Sequence, residues 1–387
     1  MTFDDLEKAF AAKSDAELRN DYWLFKIIGN PWLTKAAPAL TDFALKFHLP
    51  IKGIVRATLF KHFCGGEDID ECNETIKKLY SFHVGSILDY SAEGEEKEDS
   101  FEETTKEIIA TIHRAKGVAA IPFCVFKPTG IARFALLEKV SSSATLTVEE
   151  SEEYKKATAR FKNICETAAQ NNVRLFIDAE ESWIQNAIDD LASQMMRLFN
   201  LQKAIVYNTI QLYRTDRLNF LKQSFEHAEK NNYQLGIKLV RGAYMEKERA
   251  RAEKSGYPSP IQPDKKSCDR DFDEALRFCI QHIQRIAICA GTHNENSSML
   301  LFKLMKEHTI PANDPNIYFS QLLGMSDHIS YNLAAAGYNV AKYVPYGPVA
   351  SVLPYLIRRA QENTSIAGQM GRELKLIVEE RKRRKKI

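Results

Sequence analysis

A chain of 387 residues has room for one large domain with extensions or for two ordinary domains. Its 44% hydrophobic and 27% charged residues are ordinary for a globular protein, and 53 Lys and Arg against 51 Asp and Glu leave a formal charge of +2. Near neutrality implies no nucleic-acid partner, and the longest apolar runs fall far short of the roughly 20 residues that span a bilayer.

The N-terminus, MTFDDLEKAF, is acidic at once and shows neither a secretory signal nor an Arg-rich transit peptide. Residues 1 to 50 carry helical periodicity (Leu6, Phe10, Leu18, Tyr22, Leu24, Phe25, Ile27, Ile28), broken at GNP and resumed in LTDFALKFHL, which predicts a helical arm. KGIVRATLFKHFCGGED, 52 to 68, reads as a connector lying against the main domain. From residue 85 the rhythm changes, and short β-branched and aromatic runs alternate with long amphipathic segments. Eight runs follow: 86 to 90, 118 to 127, 173 to 180, 203 to 211, 235 to 243, 285 to 294, 316 to 323 and 339 to 347. Eight βα units in about 280 residues predict a TIM-type barrel. EKVSSSATLTVEESEEYKK, between the second and third runs, reads as a solvated surface insertion. The basic run RKRRKKI, 381 to 387, reads as a disordered solubilising end, with an anionic membrane surface as the functional alternative. Seven cysteines (Cys64, Cys72, Cys124, Cys165, Cys268, Cys279, Cys289) form no CxxC pair and read as reduced thiols of a cytosolic protein.

In such a barrel chemistry gathers where strands end, and polar residues close these runs consistently. Lys127 ends the second, Asp178 and Glu180 the third, and Gln211 the fourth. Lys238 and Arg241 lie in the fifth, Thr292, His293 and Asn294 end the sixth, and the eighth holds Tyr343 and Tyr346. Burying Lys238 and Arg241 beside apolar neighbours costs several kcal/mol unless an anion meets them, and a bound anionic ligand is the simplest such partner. Gly242 and Ala243 lack bulk, so a ligand can approach the backbone there. Past the last run, Tyr355, Arg358, Arg359 and Glu362 fall at i, i+3, i+4 and i+7 on one helical face. That face is either a charged stripe in water or a grip on a carboxylate over a barrel mouth.

The segments DAEESWIQ, GIKLVRGAYMEKERARA, THNENS, QLLGMSDHIS and YVPYGPVASVLPYLIRRAQEN closely resemble proline dehydrogenase from about residue 50 to 365, and AFAAKSDAELRNDYWLFKI resembles the helical arm of its single-function members. The resemblance implies a distorted (βα)8 barrel, 85 to 370, with an N-terminal arm and connector, 1 to 84, the last helix over the barrel mouth, and a basic tail, 371 to 387. It also implies noncovalent FAD, oxidation of L-proline to Δ1-pyrroline-5-carboxylate as the first step of proline catabolism, and electron transfer to membrane quinone. A cytoplasmic location with peripheral association at the inner face of a bacterial membrane fits that acceptor.

Matched position by position, the resemblance makes Asp178 and Lys238 catalytic. It gives Lys127, Arg358 and Arg359 to the substrate carboxylate, and Tyr244, Tyr343 and Tyr355 to the substrate ring. Ala179, Gln211, Lys238, Arg241, Gly242, Ala243, Thr292, His293 and Glu362 become FAD contacts. Many bacterial members have arginine then lysine where this chain has Lys238 and Arg241, which keeps the charge and changes the hydrogen-bond geometry. The alternative within the same fold is a 4-hydroxyproline dehydrogenase, and Tyr343 beside the ring crowds an added hydroxyl. Outside it stand a Schiff-base aldolase using Lys127 or Lys238, a metal hydrolase with His293 alone at a strand end, and a noncatalytic membrane or RNA binder.

Overall fold

The structure, a computed structural model, describes residues 2–28, 53, 56–91, 94–349, 351–353, 355, 356 and 369–385. Among the described residues, α1 (Leu6–Ala9), α2 (Asp15–Ile28), two short helical segments (Arg56–Phe60 and Lys61–Phe63) and α3 (Cys72–Tyr80) precede the first strand. The resumed helix expected in LTDFALKFHL lies outside the described residues.

Eight parallel strands then fall on the eight apolar runs: β1 (Val84–Tyr90), β2 (Phe123–Phe126), β3 (Arg174–Ile177), β4 (Val206–Gln211), β5 (Leu235–Val240), β6 (Ile286–Gly291), β7 (Ile317–Leu322) and β8 (Val340–Tyr346). They close in sequence order into a barrel, so the chain is a (βα)8 barrel of the TIM type. Every residue of β4 and of β8 is buried, the polar Asn208, Thr209, Gln211 and Lys342 included, because parallel strands under crossover helices have no face in water. Inside, Phe123 stacks on Phe176 with centroids 4.3 Å apart, and Tyr207 and Tyr318 meet Phe123 edge-on. The second run yields a shorter strand than its sequence predicts. Gly117, at φ 68°, turns the chain out of the preceding helix, and Val118 and Ile121 are taken up in turn hydrogen bonds before β2 begins.

The crossovers are α4 (Glu98–Ala115), α5 (Phe134–Ser141), α6 (Val148–Gln170), α7 (Ser182–Phe199), α8 (Arg217–Lys230), α9 (Met245–Ser255), α10 (Lys265–Gln281), α11 (Glu295–Glu307) and α12 (Asp327–Ala335). In α7, Ile184, Ala187, Ile188, Leu191, Ala192 and Met195 form the buried stripe at helical spacing. The expected insertion does lie at the surface, with none of residues 138 to 156 buried, but it is largely helical, covering the end of α5 and the start of α6. Thr147 and Glu150 form a capping box there, with the Thr147 hydroxyl accepting from the Glu150 N–H and the Glu150 carboxylate from the Thr147 N–H.

Tertiary contacts divide the chain into two units, Met1–Ser91 with Gln321–Ile387, and Ala92–Ser320. In the first, β1 and β8 pair in register from Val84 opposite Val340 to Tyr90 opposite Tyr346. In the same unit the Gly65 N–H donates to the Pro345 carbonyl at 2.8 Å and Gly66 bridges Tyr346. A side chain at Gly65 would put its Cβ 2.5 Å from Val344, so this approach needs glycine. The basic end is also not the disordered tail its composition suggests. A last helix, α13 (Gln369–Arg384), buries Leu376 and Ile377 against Ala9, Phe10, Leu18 and Phe25. The same unit holds a buried ion network: Lys13 meets Asp21 at 2.5 Å and Asp327 at 3.1 Å, and Lys342 of β8 meets Asp327 at 2.9 Å.

Candidate active site

Within the second unit, the polar residues that close β2, β3 and β5 come together. Asp178 follows β3, and its N–H donates to the Phe126 carbonyl at 3.0 Å, carrying the β2–β3 ladder one residue past the strand. Lys238 stands opposite Thr209 in the β4–β5 register and is 4% exposed. Its ammonium pairs with the Asp178 carboxylate and lies 5.2 Å from the Phe176 ring centroid. A buried cation therefore does find its anion, but that anion is a side chain of the chain itself.

Arg241 gives the same correction. Its guanidinium donates to Asp269 at 2.8 Å, Thr292 at 2.7 Å and Ser297 at 3.0 Å, and lies 4.4 Å from the Phe272 ring centroid. Its charge is met inside the protein, and its backbone is locked as well, because the Tyr213 N–H donates to the Arg241 carbonyl at 2.7 Å. Past it, Gly242 sits at φ 135° with the Tyr213 ring against it, where an added Cβ would come within 2.4 Å. Burial, reinforced by the Glu248 carboxylate, pushes the Tyr213 phenol well above its ordinary range. Tyr244 is buried and leads into α9, with Ala243 beside it.

Gln211, the last residue of β4, is 2% exposed, and its Oε1 has no hydrogen-bond donor among the described residues. A buried acceptor without a donor is costly unless a ligand supplies one. At the end of β6, Thr292 is buried and its hydroxyl oxygen accepts from the Asn294 N–H at 3.1 Å and from Arg241, while His293 is half-buried next to it. Asn294 caps α11 by accepting from the N–H groups of Asn296 and Ser297. The space a side chain at Gly242 would need is taken by the Tyr213 ring rather than left to a ligand, whereas the unmet acceptor and the ordered polar groups at neighbouring strand ends suit a flat heteroaromatic ring carrying an N–H, as a flavin does.

Two buried carboxylates complete this unit's site, Glu180, which closes the third run, and Glu248, which the sequence does not mark. Glu180, 3% exposed, accepts from the Thr129 N–H at 2.9 Å and its hydroxyl at 2.6 Å. Glu248, fully buried, accepts from the Ser182 N–H and hydroxyl at 2.6 Å each. Behind them, Glu180 N–H donates to Gln185, Gln185 and Asn208 donate to one oxygen of Asp189, and Arg217 donates to the other at 2.6 Å. Glu248 sits in MEKERARAEKS, a helix so uniformly charged that no periodicity singles it out. Lys127 follows β2 and is half-buried, and Ala179 is half-buried beside Asp178.

In the first unit, Tyr343 is buried on β8, and its carbonyl accepts from the Leu323 N–H at 2.9 Å. Tyr355 is buried with Phe60, Phe63, Met325, Val352 and Leu356. Arg358, Arg359 and Glu362 lie outside the described residues.

Comparison with known proteins agrees with this architecture. The model of the family described as proline dehydrogenase matches residues 72–372. Proline dehydrogenase 1, mitochondrial, of Dictyostelium discoideum is 32% identical over 98% of this chain and 74% of its own length. The protein of the same name from Arabidopsis thaliana is 33% identical over 86% of this chain and 76% of its own length. The carbapenem antibiotics biosynthesis protein CarD of Pectobacterium carotovorum subsp. carotovorum is 32% identical, covering 83% of each chain. Among solved structures, proline utilization A from Bdellovibrio bacteriovorus superimposes with a TM-score of 0.74 at 20% identity, over 93% of this chain and 38% of that one. At that identity the likeness speaks for the fold alone.

Proposed function

The chain belongs to the proline dehydrogenase family and is an oxidoreductase acting on proline, and from that premise we propose that it is a flavoenzyme taking L-proline to Δ1-pyrroline-5-carboxylate, with noncovalent FAD and a membrane quinone as final acceptor. The observation that carries this reading is the buried Lys238–Asp178 pair beside the unmet acceptor of Gln211. FAD, when bound, supplies the electron sink for the hydride leaving the ring carbon beside nitrogen, a role no side chain offers.

The protein's own residues bind and orient. Lys127, with Arg358 and Arg359, takes the substrate carboxylate, and Tyr244, Tyr343 and Tyr355 line the ring. Asp178, tied to Lys238, orients the pocket, and the Lys238 cation stabilises negative charge that accumulates near it during reduction. Gln211, Gly242, Ala243, Ala179, Thr292, His293, Glu362 and the Arg241 backbone hold the cofactor. The swapped basic pair is supported by the anchoring of Arg241, which leaves Lys238 as the cation paired with Asp178. Proline is the substrate rather than 4-hydroxyproline.

No helix among the described residues is long and apolar enough to cross a membrane. Delivery of electrons to a membrane quinone then calls for peripheral contact, for which Lys382 on α13 and Lys385 just past its end present exposed cations. The test is to assay the purified protein for L-proline-dependent reduction of a soluble dye and then to precipitate it with acid. FAD in the supernatant is the expected result, and a colourless protein or colour held in the pellet contradicts the proposal.

A further inference from the structure

Thr129 and Ser182 are held by one repeated device, a buried carboxylate whose two oxygens accept the backbone N–H and the hydroxyl of a single residue. Glu180 forks onto Thr129, two residues after Lys127. Glu248 forks onto Ser182, four residues after Asp178. Glu180 itself lies two residues after Asp178, and Glu248 stands one turn after the Gly242–Tyr244 loop that follows Lys238, its N–H bonded to the Tyr244 carbonyl at 2.9 Å. The two forks thus fasten three strand-end loops together, those after β2, β3 and β5.

The chemistry of the forks argues for more than stability. Helix α7 opens at Ser182, and the preceding Glu181 makes no side-chain cap bond. An aspartate or serine in Glu181's place would cap α7 from within its own loop. Instead a fully buried carboxylate reaches across from α9, where its desolvation is offset by charge-assisted hydrogen bonds to an N–H at a helix N-terminus. That arrangement couples the loops to each other, which a local cap does not. Placement errors of about 1 Å in reacting groups cost about a hundredfold in rate, so coupling of this kind bears directly on turnover.

We propose that Glu180 and Glu248 are positioning residues, which set the spacing of Lys127, Asp178 and Lys238 by forking onto Thr129 and Ser182. The inference rests on the reading of those three as the reacting array. Neither glutamate touches the substrate, and each acts through the loop it holds.

The test compares Ser182→Ala, which keeps the N–H arm and removes the hydroxyl arm, with Ser182→Thr, which keeps both, and adds Thr129→Val and Glu248→Ala. With FAD-loaded protein, kcat per bound flavin falls roughly tenfold in Ser182→Ala and Thr129→Val and up to about a hundredfold in Glu248→Ala, while KM for proline stays within about threefold. Ser182→Thr returns kcat to within about twofold of the parent. In flavin-free protein, amide hydrogen exchange over residues 178 to 182 speeds up in the alanine variants and not in Ser182→Thr. Unchanged kcat per flavin with only a lowered thermal midpoint overturns the proposal, as does unchanged exchange. If Glu248→Ala does not fold, the two hydroxyl variants decide by the same split. A parent that does not oxidise proline counts against the functional reading, and the exchange measurement still decides whether the forks hold the loop.

Discussion

Gln211 offers a test of cofactor binding apart from folding at a single atom. Its Oε1 is buried without a donor, so Gln211→Leu should leave the flavin-free chain within about 1 kcal/mol of the parent. The same change should weaken FAD binding about tenfold, the equivalent of one hydrogen bond of roughly 1.4 kcal/mol. Urea unfolding of the apoprotein beside a flavin titration checks both, and a large loss of apo stability would make Gln211 a structural residue. Arg358 and Arg359 are argued from the sequence alone. If they hold the carboxylate, Arg359→Met removes a charge-assisted hydrogen bond worth roughly 1.5 to 3 kcal/mol, so kcat/KM falls about 10- to 150-fold. Most of the loss should sit in KM, because the carboxylate's charge hardly changes during hydride transfer. A KM equal to the parent's returns this helix to a charged stripe in water. Lys238 and Asp178 were legible as site residues because a charge in an apolar run needs an explanation. Glu248 was not legible, because burial of one acid among several in a polar helix depends on which neighbour the fold brings, and Ser182 lies 66 residues away.

Helix α13 shows how composition misleads at the level of an element. RKRRKKI reads as a solvated end, yet Arg384 donates to the Phe10 carbonyl at 2.9 Å, the Lys13 carbonyl at 2.8 Å, Asp15 at 2.9 Å and Glu380 at 2.7 Å. The apolar pair Leu376 and Ile377 that turns this stretch into a packed helix lies just upstream, where its match to α1 and α2 is a tertiary fact. Removing 381 to 387 would therefore disturb the fold as well as the surface charge. The separable experiment is the double change of the exposed Lys382 and Lys385 to Gln, which leaves Arg381 on the Tyr22 ring and should weaken sedimentation with anionic vesicles by roughly 1 kcal/mol per charge with dye-linked turnover unchanged. Equal vesicle binding removes α13 as the contact.

The buried ions that join α2 to the start of α12 make a pH prediction. Burial by itself would raise the Asp21 carboxyl, but Lys13 and the His62 ring outweigh it and bring it from the ordinary 3.8 down to about 2. Asp327 is lowered in the same sense against burial, by Lys13 and Lys342. A carboxyl whose folded pKa lies below its unfolded one stabilises fully above about pH 4 and loses that contribution as pH falls toward 2. For Asp21 the loss is about 2 kcal/mol. Unfolding free energies between pH 5 and 2.5 should fall by about that much more in the parent than in Asp21→Asn, and parallel profiles would show that the network is not pH-linked.

For the whole molecule, the eight βα repeats were readable because the strands are largely buried and so are written as short runs rich in β-branched and aromatic residues between long amphipathic segments. Helices hidden in a Ser-, Thr- and Glu-rich stretch were missed, although the Thr147–Glu150 capping box was present in the sequence. The closed barrel places Lys127, Asp178, Gln211, Lys238 and Thr292 where strands end, and the family match supplies the substrate. The account stands or falls on whether those residues serve a flavin that accepts electrons from proline. The most direct measurement adds L-proline to the purified, FAD-loaded protein under anaerobic conditions and follows the visible flavin band. Bleaching of the band with formation of Δ1-pyrroline-5-carboxylate is predicted, and a flavin that stays oxidised in saturating proline contradicts the account.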